Sequence, residues 1–110
     1  MSQVTTHVLD TALGRPAVGV PVALEHCRSG TWTPLAIAAT GSEGRVAQLG
    51  DDVLEPGRYR LTFDTATYFA STDQDGFFPE VTLVFAVVAG EQYHLPLLLS
   101  PFAFNAYRGS

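Results

Sequence analysis

GRYRLTFD, residues 57–64, decides the fold. Tyr59, Leu61 and Phe63 point to one side of an extended chain, while Arg58, Arg60 and Asp64 point to the other. That period of two predicts a half-buried β-strand. Upstream, GVPVALEH (19–26) repeats it, with Val20, Val22 and Leu24 on a shared face. EVTLVFAVV (80–88) is rich in β-branched and aromatic residues, and AGEQ separates it from YHLPLLL (93–99). This spacing predicts a hairpin with Gly90 at the permissive turn position. LGRPAVG, GSEGR, DDVLEPG and SPF punctuate the rest, leaving room for seven or eight short strands. An antiparallel β-sandwich follows. One short helix is expected at TATYFASTD (65–73), capped by Asp64 or Thr65, with Asp75-Gly76 turning the chain back.

At 110 residues and 46% hydrophobic, the chain can bury a core as one domain spanning 1–110. No stretch has the length and hydrophobicity of a membrane span, and MSQVTTHVLD lacks the features of a signal peptide. The single cysteine, Cys27, precludes an intrachain disulfide and suits a reducing cytoplasm. Eleven acidic residues stand against six arginines and no lysine, for a formal charge of −5. That balance disfavours nucleic acid and anionic lipid as partners. Single arginines can still bind a carbonyl edge or an anion in a fork.

From Phe77 onward there is one arginine and no lysine among many Leu, Val and Phe residues, which points to a buried oligomer interface. The run Leu95 to Leu99, followed by Phe102 and Phe104, should tie the C-terminus into a sheet rather than leave it frayed.

Candidate chemistry is sparse. The three histidines are His7, His26 and His94. An imidazole is the commonest acid or base near neutral pH. His26 is expected at a strand end on the surface. His7 shares a side with Leu9, opposite Val8. His94 shares a face with Pro96 and Leu98, on a strand apolar on both sides, and is the most suggestive of the three. The spacing of His7, His26, Cys27 and His94 is not that of a zinc site, and neither a phosphate-binding glycine loop nor a G-x-S-x-G elbow occurs. No metal or cofactor is expected. GSEGR is a tight turn that places Arg45 at the mouth of the next strand.

Three stretches, THVLDTALGRPAVGVPVAL, TGSEGR with DGFFPEV, and YHLPLLLSPFAFNAYRGS, resemble the transthyretin-related family in its 5-hydroxyisourate hydrolase branch. The resemblance runs through essentially the whole chain, and the terminal YRGS is its most specific part. It implies an all-β, transthyretin-like sandwich of two four-stranded sheets with one short helix. It also implies a homotetramer, a dimer of dimers, with sites in a channel between dimers. The activity implied is hydrolysis of 5-hydroxyisourate to 2-oxo-4-hydroxy-4-carboxy-5-ureidoimidazoline in urate degradation. A transthyretin-like carrier of a small ligand is the alternative. By motif, His7, Arg45 and His94 carry over as catalytic residues. His7 and Arg45 also carry over as substrate-binding residues, together with Tyr107 and Ser110 of YRGS. Asn105 joins these by alternation with Tyr107, whereas Arg108 should point away or pair to close the terminus. Asn105 and Ala106 replace the Ser and Thr usual before YRGS, and Ala106 has no side-chain hydrogen-bonding group.

Overall fold

The computed structural model describes residues 2–110. Its strands are β1 (Val4–Asp10), β2 (Arg15–Pro16), β3 (Pro21–Arg28), β4 (Thr31–Ala39), β5 (Arg45–Val46), β6 (Gly57–Phe63), β7 (Val81–Val87), β8 (Tyr93–Ser100) and β9 (Ala103–Ala106). Helix α1 (Thr65–Ser71) joins β6 to β7. One sheet has the order β4-β3-β6-β7, and the other β2-β1-β8-β9 with β5 also paired to β1. The expected sandwich with one helix is present. Two features refine it: β5 adds a short fifth strand, and β1 pairs with β8 in parallel while every other ladder is antiparallel.

The alternating residues do what their spacing asks. Val22, Leu24, Tyr59, Leu61 and Phe63 from one sheet meet Val4, Val8, Leu97 and Leu99 from the other in a single core. Burying each such side chain stabilises the fold by roughly 1.5–3 kcal/mol.

The hairpin expected between residues 80–88 and 93–99 does not form. β7 pairs with β6, and β8 lies beside β1 in the opposite sheet. A strand apolar on both faces suits a sheet interior. Accordingly β8 lies between β1 and β9, with Pro96 buried on the face opposite Leu95 and Leu97. The crossing is clasped by side chains: Val88 N–H donates to Tyr93 Oη at 2.8 Å, and Gln3 Nε2 donates to the Glu91 carbonyl at 2.8 Å. Gly90 occupies a positive φ of 81° there, as expected of the turn.

His26 is a second correction, because it is 4% exposed rather than on the surface. β3 continues to Arg28, so the alternation that buries Val22 and Leu24 also turns His26 inward. Its ring stacks on Tyr59 at 4.2 Å, and its Nδ1 accepts from Arg28 Nε at 3.1 Å.

Helix α1 starts as expected, with Asp64 accepting the Thr67 N–H at 3.1 Å. Its exit differs. The turn uses Thr72 and Asp73, the latter at a φ of 55°, whereas Gly76 lies against the Phe69 ring, where a Cβ would collide. Tyr68 Oη donates to Asp10 Oδ2 at 2.6 Å, and Gln74 Nε2 donates to the same oxygen at 3.0 Å. The helix therefore anchors the end of β1, the strand that carries His7.

Candidate functional site

β1 sets out the site, with a neighbour on each side. Along its edge with β5, His7 is in register with Arg45. Along its edge with β8, Thr5 is in register with His94. Paired residues share a sheet face, so His7, Arg45, Thr5 and His94 all stand on the face turned away from the core.

GSEGR brings Arg45 there through a glycine. Gly44 has a φ of 75° and lies so close to the Val8 carbonyl that a Cβ would collide with it. Its own carbonyl accepts the Val8 N–H at 2.7 Å. Glycine alone combines that conformation with that approach.

A cavity of about 490 Å³ opens on this face, lined by Thr5, Thr6, Arg45, Gln92, His94 and Ser110 among others. Ser110 reaches it because the last residues fold back along β8. Gly109 N–H donates to the His94 carbonyl at 2.7 Å, an antiparallel bridge just beyond β9. Arg108 points away from the cavity and pairs with Glu91 at 3.4 Å, its guanidinium 4.5 Å above the Tyr93 ring. The C-terminus is thus tied down, and its final residue faces the cavity.

Both ring orientations are constrained. His7 Nε2 lies 2.9 Å from the Glu43 carbonyl, which can only accept, so this nitrogen carries the proton and Nδ1 is left for exchange. His94 Nδ1 lies 2.8 Å from Thr5 Oγ1. Burial lowers the His94 pKa below the ordinary 6.5, and Arg45 and His7 lower it further. The lowered pKa favours the uncharged imidazole, which shares the cavity wall with the Arg45 guanidinium.

Of the residues singled out by sequence, Arg45, His94 and Ser110 share the cavity wall, and His7 stands next to Arg45 close enough to influence His94. Asn105 pairs with Leu98 and is exposed on the same sheet face, outside the cavity lining. Tyr107 is exposed and lines a different cleft of about 260 Å³ with Leu83, Phe85, Tyr93 and Arg108. Within one chain the structure does not bring Tyr107 or Asn105 to the histidines. Sequence reasoning missed Thr5 and Gln92, since neither strand hydroxyls nor surface amides carry a distinguishing pattern. Among the described residues, no group of three or more His, Cys, Asp or Glu is arranged to hold a metal, and no helix is long and apolar enough to cross a membrane.

Comparison with known proteins is consistent from end to end. A model of the HIUase/Transthyretin family matches residues 4–109. The 5-hydroxyisourate hydrolase of Salmonella dublin is 42% identical over 108 residues, covering 96% of this chain and 79% of that protein. A uric acid degradation bifunctional protein of Arabidopsis thaliana is 44% identical over 123 residues, covering 97% of this chain. The chain spans only 37% of that longer relative's length. Among solved structures, Klebsiella pneumoniae 5-hydroxyisourate hydrolase superposes with a TM-score of 0.87 at 36% identity, covering 97% of this chain and 98% of that one. Sea bream transthyretin in complex with thyroxine superposes with a TM-score of 0.92 at 28% identity, covering 97% and 94%.

Proposed function

This chain belongs to the HIUase/Transthyretin family, and from that premise we propose that it is a 5-hydroxyisourate hydrolase of urate degradation, residues 1–110 acting as one hydrolase domain. The observation that carries the reading is the grouping of Arg45, His94 and Ser110 on one cavity wall with His7 alongside. A carrier of apolar ligands calls for an apolar lining. Here the Arg45 guanidinium, the His94 imidazole and the Gln92 amide stand among apolar neighbours such as Val46 and Ala47, and a carrier has no need of that cation and imidazole.

The reaction adds water across a ring amide. A bond forms from the water oxygen to the carbonyl carbon, the ring C–N bond breaks, and the leaving nitrogen takes a proton. Neutral His94 is the base that removes a proton from water, since its surroundings favour the uncharged form. Arg45 faces the oxyanion that develops on the attacked carbonyl, and a guanidinium already in place needs little reorganisation as charge builds. The proton that His94 takes from water is returned to the leaving nitrogen as the C–N bond breaks, and His7, held through Nε2–H by the Glu43 carbonyl, offers its Nδ1 lone pair to relay that proton. Ser110 closes the far end of the cavity as a substrate-binding group. No cofactor takes part in these steps.

Assembly belongs to the same proposal. Phe77, Phe102, Val84 and Val88 are each at least half exposed in the single chain, and the site face is open. A homotetramer, a dimer of dimers, would cover these groups and turn the face into a channel that Asn105 and Tyr107 could enter. A reducing cytoplasm suits the unpaired Cys27.

The test is the ultraviolet decay of 5-hydroxyisourate freshly generated from urate by urate oxidase. Acceleration by this protein that is lost in His94→Ala and Arg45→Ala supports the reading. No acceleration by the folded, assembled protein refutes it.

A further inference from the structure

We propose that Thr5 is a positioning residue for His94: its hydroxyl accepts the Nδ1–H proton and so leaves Nε2 as the basic nitrogen facing the cavity. This rests on the hydrolase reading for its role in catalysis, but not for its geometry.

The His94 ring is gripped along both edges next to Cγ. On one edge, Nδ1 lies 2.8 Å from Thr5 Oγ1. On the other, the Gly109 backbone is so near that an added Cβ would stand 2.9 Å from Cδ2. The remaining tip, Cε1 and Nε2, is the part of the ring left for the cavity that His94 lines. Only that nitrogen can meet a water or substrate there.

A base at Nε2 needs its lone pair, which requires the neutral ring to carry its proton on Nδ1. Thr5 Oγ1 is the one acceptor set opposite Nδ1. Backbone register holds it there, because Thr5 and His94 are direct partners in the parallel β1–β8 ladder. Thr5 is 8% exposed, so the contact is sheltered from bulk water. Its hydroxyl has no other hydrogen-bond partner among the described residues, and Thr5 also lines the cavity. Its own O–H proton is therefore free to turn toward a ligand. When His94 takes a proton from water, the same oxygen stabilises the resulting imidazolium through Nδ1–H. Thr6 is not equivalent: its side chain points to the opposite face and donates to the Leu95 carbonyl at 2.6 Å.

The experiment uses Thr5→Val, which keeps the shape and removes the oxygen, and Thr5→Ser, which restores the oxygen. Kinetics are read beside ¹⁵N imidazole shifts of histidine-labelled protein, with the His94 signals assigned by their loss in His94→Gln. In the unmodified protein the expected His94 form has Nδ1 protonated and Nε2 unprotonated. Thr5→Val should lower kcat roughly 10- to 100-fold, as for loss of a hydrogen bond to a charged group. KM should stay within about twofold, and Thr5→Ser should recover most of the rate. An Nε2–H form in the unmodified protein, or a Thr5→Val kcat within twofold of normal, overturns the proposal. If the unmodified protein does not hydrolyse the substrate, the hydrolase reading falls, and the ring shifts alone then decide the Thr5 contact.

Discussion

Replacing Gly109 by alanine tests whether the C-terminal residues and His94 act as one unit. Gly109 N–H donates to the His94 carbonyl at 2.7 Å, which presses the terminal backbone against β8. A Cβ at this position would stand 2.9 Å from His94 Cδ2 and 3.2 Å from Cγ and Cδ of Pro96. Carbon atoms pack best at about 3.5–4.0 Å. Subtracting the 2.9 Å separation leaves about 0.6–1.1 Å that something must yield. Pro96 is buried and its ring cannot rotate aside, so the displacement falls on the imidazole and on Ser110. A misplacement near 1 Å at a reacting group costs on the order of 10²-fold in rate, and kcat/KM for 5-hydroxyisourate decay should fall by about that factor. Stability should hardly change, within about 1 kcal/mol. The φ of Gly109 lies outside the left-handed region, and the segment is not part of the core. Thermal unfolding of the same preparation separates the two effects. A kcat/KM within twofold of normal refutes the reasoning, and so does a loss of rate accompanied by a matching loss of Tm.

Two further changes follow from the same geometry. Arg45→Gln should lower kcat/KM roughly 10²- to 10³-fold by removing an oxyanion partner. Because Arg45 is one cause of the lowered His94 pKa, the acid limb of the pH–rate profile should also move upward; a limb that stays in place separates the two groups electrostatically. Tyr68→Phe should cost about 1.5–3 kcal/mol near neutral pH, since it removes a bond to a buried carboxylate. Burial pushes Asp10 up, but Tyr68, the Leu13 N–H, Gln74 and the Ala12 N–H together hold it below its ordinary 3.8. Its contribution is therefore complete above the unfolded pKa and is lost as pH falls through the lower folded one. Urea titrations should show the difference between the two proteins constant above about pH 4 and shrinking below it. A difference that persists unchanged into acid refutes a charged partner.

Legibility in the sequence follows the range of the interaction. Tyr59, Leu61 and Phe63 could be assigned to the core because alternation depends only on the local chain, and Asp64 could be assigned as a cap for the same reason. Strand partnership is different. Thr5 and His94 are 89 residues apart, and no local pattern tells β8 to choose parallel β1 over the antiparallel partner it had just left, β7. The expected hairpin failed on that point. His26 was misplaced because the polar run Arg28-Ser29-Gly30 marks the end of a strand without saying how close to that end the inward alternation persists. For the site, residue types narrowed the candidates to three imidazoles and an arginine. The choice among them came from motif resemblance, and the grouping of Arg45 with His94 needed the ladder order β5-β1-β8.

That order also explains why the site lies where it does. A core-facing position would bury Arg45 without a carboxylate partner, at a cost in desolvation that a small sandwich cannot offset. The outer face avoids this cost but leaves the cavity open to water, which weakens every electrostatic contact inside it. Burial has nonetheless already lowered the His94 pKa in the single chain, and Pro96, its neighbour on that face, is buried. On the proposed assembly, the remaining shelter would come from a second copy of the chain. Asn105 projects from the same face without a partner in the cavity, and exposed Phe102 flanks it at the β8–β9 turn. An outer sheet face that holds a cation, two imidazoles and a fringe of apolar groups is poorly suited to solvent and well suited to a second copy of itself. The proposed dimer of dimers would supply the low-dielectric surroundings that the proposed chemistry of Arg45 and His94 calls for.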